Sequence, residues 1–455
     1  MARVRPDVSG LDKVFDYLVP PDWDDSIEIG SLVRFDLHGR RVAGWVIALD
    51  VDPVPGITML ELRSLSSKGP SEEVVGLSQW AAHRWHGRVA AVLRTASPDR
   101  MVRSVGPPFA HAQNLRLQAS TVTGAALEFR DALVEALAVP DVSVLRVGPC
   151  IDRFPAFEAA GSFGNAVVVL PDVDEARHLG GRFRRAGGRI SLAGRDWAQA
   201  ARGGVVTGAR SAVWGTVPDL RSIVVLDEHD DRLQEERNPT WHARTVAIER
   251  ARRLGIPCVL VSPAPSLEAL AAADRKLSLS RTAERGAWPR VEIIDRRGED
   301  PGTPGPFSSA LAAAIRSTGG EGRVLAVLNR KGRAQLLACA TCGELVRTLD
   351  GERIMSEVGG ELVASTGERR PKVCALCGAT KLRRLRLGVD RAREELEALV
   401  GEPVGELTAE TALDIVERHR IIVGTEAVLH RVNRADLVVF LDFDQELLAP
   451  RFRAA

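Results

Sequence analysis

GGVVTGARSAVWGTVPDLRSIVVLDEHDD, residues 203–231, decides the fold class. It holds two apolar runs, and the second ends abruptly in carboxylates at Asp227 and Glu228. Working outward, VSVLRV (142–147), AVVVL (166–170) and PCVLVS (257–262) repeat the apolar run, with helix-like stretches between them. That alternation predicts a parallel sheet flanked by helices. A Gly/Pro-rich loop, RRGEDPGTPGP (296–306), separates this block from a second with RVLAVLN (323–329), IIVGTEAV (421–428) and LVVFLDFD (437–444). The chain therefore reads as α/β and multi-domain. One α/β lobe is expected over 142–292 and another over 293–455, with a cysteine-bearing insertion at about 336–382.

Residues 1–105 read differently. LVRFDL (32–37) and VAGWVIAL (42–49), separated by the polar turn HGRR, predict a small β-rich module, followed by one helix-like stretch over 72–93. Residues 106–141 read as a connecting region. With 455 residues, 45% of them hydrophobic and 27% charged, the composition is that of a folded protein of several domains, not of a disordered chain. The N-terminus lacks the apolar core of a secretory signal, and no apolar stretch is long enough to span a bilayer, so a cytoplasmic protein with no membrane partner is expected. Net charge is only +1, but residues 323–393 carry 15 Lys/Arg against 7 Asp/Glu. A patch of that sign suits phosphate contacts, and a solvated basic face accounts for it equally well.

The strongest motif is Cys339-x2-Cys342 with Cys374-x2-Cys377. Each pair lets two thiolates grip one tetrahedral ion from a tight turn, and Gly343 and Gly378 suit the bends. Structural zinc is the expectation, with a redox dithiol as the alternative. Four sulfurs leave no open position for water, so the metal would scaffold. Asp227 and Glu228 sit where many NTPases aim carboxylates at a metal-bound phosphate, although a strand running into a solvated acidic loop gives the same string. Such a site also needs a phosphate cradle. The chain has no Gly-Lys dipeptide, and RVGPCIDRFPA (146–156) loses an amide at Pro149. Arg146 or Arg153 can substitute as a charge, but neither supplies the loop geometry.

The order FDYLVP (15–20), VTGARSAVWGTVPDLRSIVVLDEHDD, NPTWHAR (238–244), SPAPSLEAL (262–270), VLNRKGRAQLLACATCG (327–343), CALCG (374–378), LGVDRAREEL (387–396), IIVGTEAV and VVFLDFDQELLAPRFRAA (438–455) resembles the PriA family of replication-restart helicases along nearly the whole chain. The resemblance implies an N-terminal domain binding the 3′ end of a DNA strand, two RecA-like helicase-type lobes, and zinc. Phe15 and Asp16 match the family's DNA-end pocket, and Gly39 and Arg63 fall near its other positions; read alone, Phe15 is a core aromatic and Asp16 a strand-end charge. The four cysteines match the outer pairs of the family's zinc region. Its inner cysteines are missing between 343 and 373, so one zinc ion is implied. Asp227 and Glu228 match the acidic nucleotide motif, with His229-Asp230 in place of the usual Glu-His order. Gly424-Thr425 and Asp442 match elements of the second lobe.

Several departures bear on activity. The cradle lysine is absent, Ser262-Pro263-Ala264-Pro265 replaces the coupling motif, and the second lobe is expected to be incomplete, short of the family's arginine-bearing motif. Members with degenerate helicase motifs occur in actinobacteria, and the resemblance is to that type. The reading is therefore a DNA-binding component of the restart primosome. It would recognise branched or stalled forks and help reload the replication machinery with helicase-loading partners, without helicase activity and without ATP and magnesium held in the usual way. The alternatives are an ATP-dependent 3′–5′ helicase with an unconventional nucleotide site, a remnant without an independent role, and a metal-dependent nuclease on Asp227, Glu228, Asp230 and Asp231.

Overall fold

The computed structural model describes the chain except residues 24, 53–58, 110–123, 296–306, 329–336, 365, 385–388, 409–410, 413, 433, 442 and 444–455. The described part forms two units, Met1–Arg290 and Val291–Ala455.

In the first unit, β1 (Ala2–Pro6), β2 (Phe15–Tyr17), β3 (Leu32–Leu37), β4 (Arg40–Leu49) and β5 (Ser64–Ser67) form a sheet in the order β2-β1-β4-β3-β5. Alternating residues such as Ala2, Val4, Val33, Phe35 and Val46 fill its core. The β3–β4 turn is the dipeptide His38-Gly39, both with positive φ (49° and 74°), which matches the right-handed strand twist. Arg40 and Arg41 belong to β4, so the turn is shorter than HGRR. Leu18 bridges Glu61, which brings the two sheet edges together.

The helix-like stretch 72–93 is two helices, α1 (Glu72–Arg84) and α2 (Val89–Ala96). The break falls at His86, with φ 48°, and Gly87, where an added Cβ would lie 2.2 Å from the Pro239 ring. These helices serve two cores. Val75, Ala82, Val89 and Leu93 pack with Trp45 of β4, while Val74, Leu77, Ala81 and Val92 join the core beneath the following sheet. Each fully buried Val or Leu contributes roughly 1.5–3 kcal/mol. Arg250, fully buried, ties the same junction with a bidentate pair to Glu73 at 2.8 and 3.1 Å.

That sheet has the order β12-β6-β11-β10-β7-β9-β8, all parallel: β6 (Val142–Arg146), β7 (Asn165–Val169), β8 (Ile190–Leu192), β9 (Val205–Gly208), β10 (Leu220–Leu226), β11 (Cys258–Ser262) and β12 (Arg275–Ser278). Strands β8 and β12 went unread in the sequence because they are short edges, and β12 alternates half-buried and exposed residues. Helices α3 (Ala125–Leu137), α4 (Pro155–Phe163), α5 (Val173–Arg185), α6 (Trp197–Ala200), α7 (Ala243–Leu254), α8 (Leu267–Ala272) and α9 (Arg281–Gly286) accompany it. From the connecting region, α3 sends Phe129, Leu133 and Leu137 into this core, and the Phe109 ring lies beside the guanidinium groups of Arg189 and Arg202.

The second unit has a parallel sheet in the order β19-β20-β13-β21, made of β13 (Val324–Val327), β19 (Val404–Leu407), β20 (Ile421–Gly424) and β21 (Leu437–Phe440), with α10 (Ser309–Ser317) and α11 (Val389–Val400) on it. Between β13 and α11 lies a small β module: β14 (Leu337–Cys339) pairs with β18 (Leu382–Arg384), and β15 (Met355–Val358), β16 (Glu361–Ala364) and β17 (Arg369–Pro371) form a meander. Gly424 ends β20 so close to β19 that a Cβ would lie 1.9 Å from the Leu407 carbonyl oxygen, and Thr425 starts the turn that follows. Asp442 lies outside the described residues. Among the described residues no helix is long and apolar enough to cross a membrane.

Candidate functional site

Strand β10 delivers the acidic pair to the C-terminal edge of its sheet, where a left-handed Asp227 (φ 48°) turns the two carboxylates apart. Asp227 accepts from Arg153 Nη2 at 3.0 Å, and Arg153 is itself only 7% exposed. Glu228 is fully buried. It accepts from Arg244 Nη1 at 2.8 Å, from the Ser266 amide at 2.7 Å and from Ser266 Oγ at 2.8 Å. Arg244 comes from the first turn of α7 and Ser266 caps α8, so two helix starts converge on one carboxylate. A buried carboxylate with three donors is a satisfied structural group.

The loop between β6 and α4, where a phosphate cradle belongs, is folded onto its own chain. The amides of Val147, Cys150 and Ile151 donate to the carbonyls of Ser262, Ala287 and Gly148, and the Phe154 amide donates to Asp152. Pro149 and Pro155 have no N–H. Arg153 also donates to the Gly148 and Ile151 carbonyls, so its charge is spent inside the loop. A cradle works by leaving successive amides free for an anion.

The other acidic residues go separate ways. Asp230 caps its own turn and takes two bonds from the Arg232 guanidinium. Burial pushes Asp230 up, but Arg232 outweighs it and holds the carboxyl below its ordinary range. Glu175 is raised, first by burial and then by the neighbouring Asp227 charge. His229 Nδ1 meets Ser262 Oγ at 2.9 Å. Asp227, Glu228 and Asp230 are thus each paired with a different arginine, and they do not converge on a common point as a metal-dependent nuclease requires.

The four cysteines do converge. All four Sγ atoms lie within 4.8 Å of one another, with Cys339–Cys377 at 3.4 Å and Cys342–Cys374 at 3.7 Å. Tetrahedral zinc with Zn–S bonds near 2.3 Å needs sulfurs about 3.8 Å apart. The two turns repeat one design. Gly343 N donates to Cys339 O and Gly378 N to Cys374 O, both at 3.0 Å, while Cys339 N and Cys374 N each reach the carbonyl five residues on at 2.8 Å. Gly343 and Gly378 adopt φ 77° and 72°, which glycine alone takes without strain. Amides of Cys342 and Thr341 pull the Cys339 thiol down to about 6, and those of Cys377 and Leu376 pull Cys374 down as well. Four cysteines so disposed can bind a metal ion.

In the N-terminal sheet, the β1–β2 register sets Arg3 opposite Asp16, and the two make a bidentate pair at 2.8 and 3.0 Å. Phe15 points the other way and packs on the sheet core. Arg63 pairs with Asp36 at 2.8 Å, and the Tyr17 hydroxyl donates to the Asp36 carbonyl. Asp16 with Arg3 and Asp36 with Arg63 are two separate ion pairs on this sheet, and Gly39 sits in the turn three residues beyond Asp36. Residues 3–98 match the family model of the PriA 3′DNA-binding domain (3′BD).

Over most of its length the chain is similar to PriA. Relatives named "Probable replication restart protein PriA" are 29% identical over 428 residues in Mycobacterium tuberculosis H37Rv and 28% over 464 residues in Mycobacterium leprae. These alignments cover 86% and 92% of this chain, and 65% and 71% of the relatives. The replication restart protein PriA of Bacillus subtilis is 28% identical over 259 residues, 51% of this chain and 32% of that protein. The chain thus spans about two thirds of the length of its mycobacterial PriA relatives.

Sequence reading missed the partners. Arg3, Asp36 and Tyr17 of the PriA-type domain, and Arg244 and Ser266 of the acidic site, were not singled out, although NPTWHAR and SPAPSLEAL contain the last two.

Proposed function

We propose that this chain is a cytoplasmic DNA-binding component of replication restart that reads branched or stalled forks bearing a free 3′ end and helps reload the replication machinery through helicase-loading partners, without an ATP-driven motor. In this reading residues 1–105 form the 3′-end-binding domain and 106–141 a reduced connecting region. Residues 142–292 are a degenerate helicase lobe, and 293–455 a second lobe carrying the metal module at about 336–382. Phe15 supports the pocket from the sheet core, Asp16 accepts hydrogen bonds from the terminal nucleotide, and Gly39 and Arg63 border the pocket, with Arg63 as a phosphate partner. Arg3, 40% exposed, orients Asp16 and adds positive charge beside it.

The observation that carries the loss of the motor is the closure of the acidic pair. Asp227 and Glu228 are neutralised by Arg153 and Arg244 of their own lobe, and the amides of Val147, Cys150, Ile151 and Phe154 in the loop between β6 and α4 are bonded to their own chain. A carboxylate committed to a buried guanidinium cannot also organise a metal-bound phosphate without paying to break that pair. Strand-end carboxylates remain the one feature that favours the helicase alternative.

One zinc ion is assigned to Cys339, Cys342, Cys374 and Cys377. When bound it supplies a rigid crosslink; the chain's own contribution is two turns whose amides lower the first thiol of each pair, Cys339 and Cys374, and that hold β14 against β18.

Fluorescence anisotropy on two forks that differ only in a 3′ end at the junction tests the proposal. Tighter binding to the fork with the end is expected, and Asp16→Ala should erase the preference. Equal affinity of the unaltered protein for both forks would sink it.

A further inference from the structure

From the arginine- and tryptophan-lined groove at the end of the first lobe, we infer a second nucleic-acid contact that takes single-stranded DNA by its phosphates and bases and needs no 3′ end. The inference rests on the DNA-binding reading above and places a site outside the 3′BD. The groove holds about 610 Å³ and is lined by Arg146, Arg281, Glu284, Arg285, Trp288, Pro289 and Arg290. Four arginines face one carboxylate. Arg146 consumes that carboxylate in a bidentate pair with Glu284 at 2.7 and 2.8 Å. Arg281, Arg285 and Arg290 are exposed and have no carboxylate partner among the described residues. The Trp288 side chain stands 46% exposed beside them, an unusual place for a large aromatic.

The scaffold under these side chains is fixed. Ala283 and Ala287 are buried in the lobe core, the Ser280 amide and hydroxyl both donate to the Glu128 carboxylate at 3.0 Å, and the Ala287 carbonyl holds the Cys150 amide. Gly148 permits that approach, since a Cβ there would lie 2.5 Å from the Ala287 Cβ. The groove is therefore built on the contact that closes the phosphate loop.

Charge and shape select the ligand. Three free guanidinium groups require a polyanion, and an exposed indole among them supplies a stacking face. Arg281 and Arg285 are four residues apart on α9, about 6 Å along one helix face, so they can meet neighbouring phosphates of one strand. A mononucleotide pocket would be walled by apolar groups. Here the walls are exposed charged side chains, which suits a strand lying across them.

The test uses the full chain and a covalently closed circular oligothymidine, which has no 3′ end, with affinity measured across a salt series. Trp288→Ala is expected to weaken the circle about tenfold. The double change Arg281→Ala with Arg285→Ala is expected to flatten the dependence of log affinity on log salt by roughly 1.4, two single-strand phosphate contacts. All these positions are exposed, so the variants keep the fold. The preference for forks with a 3′ end should be the same in every variant. Unchanged circle affinity and slope in the variants, or thymidine monophosphate binding as tightly as the circle, would overturn the inference. Loss of circle binding in Trp288→Ala by a protein that ignores 3′ ends would support this site and defeat the fork-reading proposal.

Discussion

The acidic pair at the end of β10 and the cysteine quartet of the inserted module are both clusters of ionisable groups at turns, but they differ in what completes them. Each carboxylate is answered by an arginine of the same lobe, Glu228 with three donors and no exposure. The cysteines face one another, at 3.4 and 3.7 Å, with backbone amides as their other donors, and among the described residues no arginine or lysine side chain is bonded to them. A group whose charge is answered from within has become part of the core, whereas one whose donors crowd around a common point needs a cation from outside.

The largest effect should come from the open cluster. Purified protein is expected to carry about one zinc per chain by atomic absorption, and Cys374→Ser should abolish it. Structural zinc in small modules is worth on the order of 10 kcal/mol, so hydrogen exchange should rise sharply across 337–384 while the β6–β12 sheet stays protected. Full protection without metal would erase the contrast.

Next in size is the closed cluster. Arg244→Ala leaves Glu228 buried without its cation and should cost about 3–5 kcal/mol in urea denaturation followed by a probe of the first unit. Adding Glu228→Gln should recover a large part of it, because the orphaned charge is gone. A loss under 1 kcal/mol for the single change would mean that the pair is not the internal closure described here.

How much of this contrast could be read in advance follows from distance along the chain. The metal cluster was legible because CxxC and the glycine after it encode the turn locally. So were the lobes, since β6, β7, β10 and β11 are continuous apolar runs that both faces of a buried parallel sheet demand. The closure was not legible. Arg153 was marked as a spare charge for a phosphate, but it lies 74 residues from Asp227, and no spacing rule pairs it with that carboxylate. Asp16 was marked as a polar pocket residue, but its bond to Arg3 depends on the β1–β2 register. The double-faced packing of α1 and α2 was hidden because apolar residues on two helix faces look like one long amphipathic helix until the break at Gly87 is seen.

The smallest effect concerns Glu175, whose carboxyl is raised by burial and then by Asp227. A raised carboxyl binds its proton more tightly in the folded state, so ionising it as pH rises above the ordinary glutamate range of about 4.3 costs stability. Glu175→Gln should therefore raise the thermal midpoint at pH 7, with the gain fading as pH falls to about 4. A gain that persists at acidic pH would point to packing instead of charge.

DNA-stimulated ATP hydrolysis, measured on a fork that the protein demonstrably binds, addresses the central claim most directly. The closed acidic pair predicts saturable fork binding with no turnover above background, and no change in that background for Asp227→Ala. Turnover that rises with fork DNA and disappears in Asp227→Ala would contradict it.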